Sequence, residues 1–327
     1  MYYLTVVINL CMNKIFALFF SFMAIGLSAN AQKQNLYFLK NNGQYVKIRD
    51  SADYLRIVQE PDPGSVLYIV NEHYLDGSTK SKGLSSKIDP PVYEGQYISY
   101  YKNGKKKLLG NYRKGKLVDT VYHYYPNGNL YTEIAYANIK DEVKTYIKTV
   151  NDSTGKSIVV NGNGICGFYD KDFKEIIESG AIKDGVYDGV WRGGWKKSGV
   201  HYTETYALGK LVSGESTDRA SKQYPYTKTH IQPEFKGGMK EFYKYLTKNV
   251  KYPSECYTQR IQGKVYLRFQ ILKDGTISDI KVLSSPHPSL TKEAIRVMSV
   301  SPPWEPGVER GIPVNVPFNI PIMFTVS

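Results

Sequence analysis

The chain has 327 residues, room for two domains with cores of their own, and its 42% hydrophobic and 13% aromatic content excludes wholesale disorder. Lysine and arginine number 43 against 30 aspartates and glutamates, a net charge of +13. The lysines are scattered apart from Lys105-Lys106-Lys107, so two readings stand side by side: a well-solvated basic surface, or a surface for a polyanionic wall such as peptidoglycan or for an anionic lipid. No nucleic-acid partner is expected.

At the N-terminus, Lys14 precedes an apolar run from Ile15 to Leu27, and Ala29-Asn30-Ala31 offers a small-residue cleavage site before Gln32. That is the pattern of a secretory signal peptide over residues 1–31, more regular if initiation is at Met12. The alternative is an uncleaved inner-membrane anchor from Tyr2 to Leu27, in which Lys14 would sit mid-span at a cost of roughly 2.5–3.5 kcal/mol. Export to the periplasm or envelope is therefore expected. Cys11 would leave with the signal, and Cys166 and Cys256 fall in different predicted domains, so no bridge is expected.

Residues 32–91 read as a β-rich region: a hairpin from Tyr37 to Ile48 around Asn42-Gly43, a short helix from Ser51 to Gln59, and a loop from Gly77 to Pro91. From 92 to 226 the sequence is repetitive. The word Tyr-x-x-Gly recurs at Tyr74–Gly77, Tyr101–Gly104, Tyr125–Gly128 and Tyr206–Gly209, the first three glycines at steps of 27 and 24 residues. Three of the words end in Asp-Gly or Asn-Gly, the strongest short hairpin signal, so the unit is one β-hairpin. Stacked hairpins bury their tyrosines against the next unit, which accounts for 29 tyrosines without a ligand. Tyr93-Glu94-Gly95-Gln96-Tyr97, Asp188-Gly189-Val190-Trp191 and Gly209 to Gly214 resemble MORN repeats, a family associated with lipid or protein binding, although a structural spacer fits the same residues.

Gly162-Asn163-Gly164-Ile165-Cys166-Gly167 satisfies the spacing of a dinucleotide fingerprint. That chemistry needs a helix N-terminus at the third glycine to aim amides at a pyrophosphate, and the residues that follow read as another hairpin. No cofactor is expected. The histidines at 73, 123, 201, 230 and 287 are isolated, no paired His or Cys stands at ligand spacing, and no nucleophile has a positioned partner, so neither metal nor enzyme chemistry is expected.

Residues 227–327 form the last domain. Phe235, Met239, Phe242, Tyr243 and Leu246 fall at helical steps, and Tyr252-Pro253 ends that helix. Val265, Leu267, Phe269 and Ile271 alternate toward Asp274-Gly275, whose return strand carries Ile277, Ile280 and Val282. A second helix from Ser289 to Val300, opened by a Ser/Thr-type cap, places Leu290, Ala294, Ile295 and Met298 on one face, and Trp304 to Gly307 stops it. A last strand carries Val314, Val316, Phe318, Ile320, Ile322 and Phe324 on one face. The expected fold class is α+β: a three-stranded antiparallel sheet with two helices, preceded by an all-β hairpin stack.

Tyr252-Pro253, Arg260 to Gly263, Asp274-Gly275, Val282-Leu283-Ser284 and Trp304 to Gly307, in this order, resemble the TonB C-terminal domain over about residues 233–327. The resemblance implies a periplasmic binding module that takes a short segment of an outer-membrane transporter, or of another envelope protein, as an added strand. The partner-binding residues it implies are Tyr252, Pro253, Tyr257, Val314, Asn315, Val316, Phe318, Asn319 and Ile320. Three features depart from the family. The signal segment reads as cleaved and the 16 prolines form no spacer, which puts energy transduction in doubt; Tyr257 stands where the family has a transporter-contacting glutamine; and Pro313, Pro317 and Pro321 share one parity. Alternate residues of a strand aim their N–H groups to one edge, so all missing donors fall on one side, which must be the unpaired edge.

Overall fold

Tyrosine, glycine and two kinds of tight turn build the first two-thirds of the chain. The computed structural model describes residues 33–139 and 142–326, so the predicted signal segment and Cys11 lie outside the described residues. The strands begin β1 (Gln34–Leu39), β2 (Tyr45–Val46), β3 (Tyr54–Gln59), β4 (Tyr68–Tyr74), β5 (Thr79–Ser85) and β6 (Tyr93–Tyr100). They continue as β7 (Lys106–Arg113), β8 (Lys116–Tyr124), β9 (Leu130–Ile139), β10 (Glu142–Asn151), β11 (Ser157–Val160) and β12 (Asn163–Tyr169). The series ends with β13 (Ile176–Lys183), β14 (Val186–Trp195), β15 (Val200–Ala207), β16 (Lys210–Thr217) and β17 (Gln223–Tyr226). β1 lies between β2 and β3, and from β3 onward each strand pairs antiparallel with the next. Pairing passes through β5 and β6 without a break, so residues 33–91 belong to the same sheet as the repeats.

The turns differ at the two ends of the strands. At one end Tyr74, Tyr101, Tyr125 and Asp152 donate their N–H to the carbonyl four residues on, while Gly77, Gly104, Gly128 and Gly155 donate back to them. These glycines have φ between +79° and +96°, the left-handed position of a turn with a bulge. At the other end Lys114-Gly115, Asn161-Gly162, Asp184-Gly185 and Leu208-Gly209 have positive φ at both residues, the two-residue turn whose twist matches the strands. The word at Tyr206–Gly209 therefore belongs to the second class and is not a copy of the other three.

The repeating tyrosines join one hairpin to the next. Tyr74 Oη donates to the Tyr100 carbonyl at 2.9 Å, Tyr101 Oη to Tyr124 at 2.7 Å and Tyr125 Oη to Asn151 at 2.9 Å, each reaching the residue just ahead of the next turn. Each such bond contributes about 0.5–1.5 kcal/mol net. Glycines do the complementary work inside the strands, where aromatic side chains occupy the space a Cβ would take: Tyr97 at Gly83, Trp191 at Gly180, Tyr202 at Gly193 and Tyr226 at Gly214. A Cβ at Gly180 would come within 2.4 Å of the indole. Trp191 is also stacked on Tyr187 at 3.7 Å and 5°, over a core containing Val150, Val159, Cys166 and Ile182.

Two expectations for the first region are corrected. Residues 49–51 form one 3-10 turn, and 54–59 are strand, because Tyr54, Arg56 and Val58 alternate inward at period two. The Gly/Ser/Lys-rich stretch read as a loop contains β5, whose small Ser81 and Ser85 are fully buried between neighbours. Gly167 of the glycine-rich fingerprint lies inside β12, not at a helix N-terminus.

The last domain starts with β18 (His230–Ile231), α1 (Gly238–Asn249), α2 (Ser254–Thr258), β19 (Gly263–Ile271) and β20 (Ile277–Ser284). It ends with α3 (Pro288–Ser299), β21 (Gly307–Glu309), β22 (Ile312–Val314) and β23 (Val316–Phe324). The main sheet has the order β20-β19-β23, all antiparallel. Phe242, Leu246, Leu290, Ala294, Val297 and Met298 from the helices pack on Val265, Leu267, Phe269, Ile320 and Ile322. Trp304 closes this core among Phe235, Phe242, Phe269 and Phe318. Gly275 has φ +83° and a Cβ there would stand 1.9 Å from the Trp304 carbonyl, so the hairpin turn and the tryptophan loop require a glycine together.

Four details differ from the sequence reading. A third helix, the one-turn α2, follows Pro253; Tyr243 points outward at 54% exposure while Tyr245 faces inward to donate to the Val297 carbonyl at 2.8 Å. The cap of α3 is His287, whose Nδ1 accepts Ser289 N–H. The terminal strand is broken in two: Arg310-Gly311, with φ of +45° and +80°, turn β21 into β22, and Val314 pairs with Gly307 in a second small sheet of β18, β21 and β22.

Candidate functional site

β23 pairs with β19 along its whole length, from Gly263↔Phe324 to Ile271↔Val316, and among the described residues no strand lies on its other side. Its even-numbered side chains, Phe318, Ile320, Ile322 and Phe324, face the helices, and Pro317, Asn319, Pro321 and Met323 are exposed. Proline has no N–H, so the pairs Tyr266↔Pro321 and Gln270↔Pro317 take the non-hydrogen-bonded places of the ladder; by alternation the even residues point their N–H groups to β19 and the odd residues to the open edge. Pro317 and Pro321 therefore lack no bond inside the sheet. On the open edge Asn319 and Met323 keep the donors.

The predicted partner-binding residues divide between the two ends of this edge. Tyr252 donates its hydroxyl to the Ile261 carbonyl at 2.6 Å and meets Phe324 edge-to-face at 5.9 Å; Tyr257, 57% exposed, lies beside it at 6.2 Å. Burial, with Cys256 nearby, pushes the Tyr252 phenol above its ordinary pKa, so it stays a neutral donor. Pro253 precedes α2 at φ −63° and sets the chain's direction there. Val316, Phe318, Asn319 and Ile320 lie on β23. Val314 and Asn315 do not: Val314 is in β22, and Asn315 Oδ1 accepts Lys273 N–H at 2.9 Å, holding the β19–β20 turn. Eight steps of strand, about 27 Å at ~3.4 Å per residue, separate Val316 from the tyrosine end.

A second arrangement had no sequence signal beyond the residues themselves. Arg310, at the tip of the β21–β22 hairpin, reaches side chains of β13, β14 and β15 in the hairpin sheet: Nε donates to Glu204 Oε1 at 2.8 Å, and the guanidinium lies 4.1 Å from the Tyr202 ring and 5.4 Å from Trp195. Glu204 is 1% exposed and also accepts the hydroxyls of Tyr226 at 2.7 Å and Tyr206 at 3.0 Å. Glu178 stands 3.9 Å from the same guanidinium and is held by Tyr187 and Tyr202. Arg310 N–H further donates to the Thr229 carbonyl at 2.6 Å. The last domain is plugged into the end of the hairpin sheet.

With the three-stranded sheet, its helix layer and the open β23 edge in place, comparison with known families is decisive for this part of the chain. Residues 248–326 match the family described as Gram-negative bacterial TonB protein C-terminal. The last domain is a TonB C-terminal domain. No curated protein matches the chain. The upstream sheet is consistent with MORN-like hairpins. Among the described residues no helix is long and apolar enough to cross a membrane.

Proposed function

We propose that this chain is an exported envelope adaptor whose TonB C-terminal domain captures a segment of an outer-membrane or periplasmic protein as a strand on β23, with the hairpin sheet as a rigid arm. TonB-dependent transport is the process in which such capture would serve. The carrying observation is the β23 edge, open on one side, with donors at Asn319 and Met323 and with Pro317 and Pro321 on the same parity. A peptide added there gains roughly half the usual N–H bonds, so each remaining donor matters more, at about 0.5–1.5 kcal/mol net per bond.

Asn319→Pro tests this reading. The substitution removes a donor only from the open edge, so the melting temperature should hold while capture of an envelope partner in pull-downs is lost. Unchanged capture sinks strand addition. One observation favours a second reading, a scaffold that meets peptidoglycan or anionic lipid: Lys264, Arg268 and Lys281 all stand exposed on the sheet face away from the helices, Arg268 directly opposite Lys281. Repeating the pull-down across a salt series separates the two, because exposed charges are screened within about 8 Å at physiological ionic strength. Capture that fades with salt and ignores Asn319→Pro supports the scaffold.

A further inference from the structure

Where α2 meets the start of α3, three donor side chains come together that strand addition does not use. Cys256 Sγ lies 3.2 Å from His287 Nδ1, Glu255 Oε1 accepts the Ser289 hydroxyl, and the sulfur, a ring nitrogen and a carboxylate oxygen all fall within 4.8 Å of one another. We propose that Cys256, His287 and Glu255 form a site for a borderline divalent cation, Zn2+ by its donor set, with water in the fourth position.

The spacing fits the ion. Tetrahedral coordination with bonds of about 2.0–2.3 Å sets ligand atoms roughly 3.3–3.8 Å apart; the sulfur and the imidazole nitrogen, 3.2 Å apart, are already near that separation, and the carboxylate oxygen lies within 4.8 Å of both. Charge fits as well, since a thiolate and a carboxylate together neutralise a dication in a place where Cys256 is fully buried. His287 Nδ1 lies 3.2 Å from both the Ser289 N and the sulfur, so the nitrogen that would bind an ion faces the cluster. The ion would replace this long cap contact. The sulfur also receives the Leu290 N–H at the first turn of a twelve-residue helix, which favours a thiolate. Binding exchanges the S–H bond for a metal–sulfur bond, and the thiol proton leaves to solvent. Entry is from the Glu255 side, which is exposed.

The bland alternative is a small buried thiol that donates to a neighbouring imidazole. Its consequences differ. A bound ion staples α2 to α3 beside Tyr252 and Tyr257, and so fixes one end of the β23 edge.

The test is titration of the full, reduced chain with Co2+ and displacement by Zn2+. One equivalent of cobalt should give a thiolate-to-metal charge-transfer absorption that zinc abolishes. Cys256→Ala should remove the band, Glu255→Gln should weaken binding at least tenfold, and Cys166→Ala should leave both unchanged. Should Cys256→Ala misfold, His287→Gln, at a partly exposed position, must weaken binding by at least tenfold instead. No band in the wild-type chain, or a band that survives Cys256→Ala or is lost only with Cys166→Ala, overturns the proposal.

Discussion

Replacing Arg310 by alanine should uncouple the two parts of the molecule. The substitution leaves Glu204 in place, 1% exposed, with only the hydroxyls of Tyr206 and Tyr226 donating to it, and removes the guanidinium from the Tyr202 face. Breaking a buried ion pair costs about 3–5 kcal/mol, and the lost cation–π contact about 0.5–2 kcal/mol. The two remaining hydroxyls keep part of the carboxylate satisfied, so the net effect should lie near the lower end, about 3 kcal/mol, or roughly a hundredfold in the docking equilibrium. Tryptophan fluorescence during urea unfolding reports both parts, since Trp191 is buried in the hairpin sheet and Trp304 in the core of the last domain. The wild-type chain should unfold in one transition and Arg310→Ala in two. A cycle with Glu204→Gln should give a coupling above about 1.5 kcal/mol. A single transition shifted by less than about 0.5 kcal/mol, with no coupling in the cycle, would refute docking through Arg310.

Two further outcomes follow from packing and charge. Gly180→Ala puts a methyl 2.4 Å from the Trp191 ring, and overpacking of this kind costs about 1–3 kcal/mol; calorimetry should show the sheet's unfolding moved and, in an Arg310→Ala background, that of the last domain unmoved. Glu72 is buried, which opposes ionisation, but Lys80 Nζ at 2.5 Å and Arg56 Nε at 2.9 Å outweigh this and hold its pKa below the usual 4.5. A carboxylate depressed in the folded state stabilises above its unfolded pKa and loses that contribution as pH falls through the folded one. The melting temperatures of wild type and Glu72→Gln should therefore be well separated at neutral pH and converge below about pH 4.5; a constant gap would show that the ion pair is not the cause.

Much of the last domain was legible because each of its signals is local. Val265 to Ile271 alternate, Asp274-Gly275 turns, and Leu290, Ala294 and Met298 repeat at helical spacing, so propensity and burial agree. The terminal strand was misread at one point. Val314 and Asn315 continue the apolar alternation, but Arg310-Gly311 makes a two-residue hairpin whose first position is not among the residues that favour it. Residues 51–59 failed for a related reason, since a stretch this short fits a helix or a half-buried strand and only its neighbours β1 and β4 decide.

The sequence by itself determined the hairpin unit and the parity of the prolines. A Tyr-x-x-Gly word that ends in Asp-Gly or Asn-Gly fixes its turn within four residues, while Tyr206–Gly209, which ends in Leu-Gly, takes the other turn; alternation along a strand is covalent geometry, so both signals are read without a partner in space. Tertiary structure alone decided what those units meet. Tyr125 donates to a carbonyl 26 residues away, Cys256 and His287 are 31 apart, and Arg310 reaches Glu204 across 106. No spacing rule links such pairs; packing brings them together, and the plug, the cation site and the open edge of β23 exist only once it has.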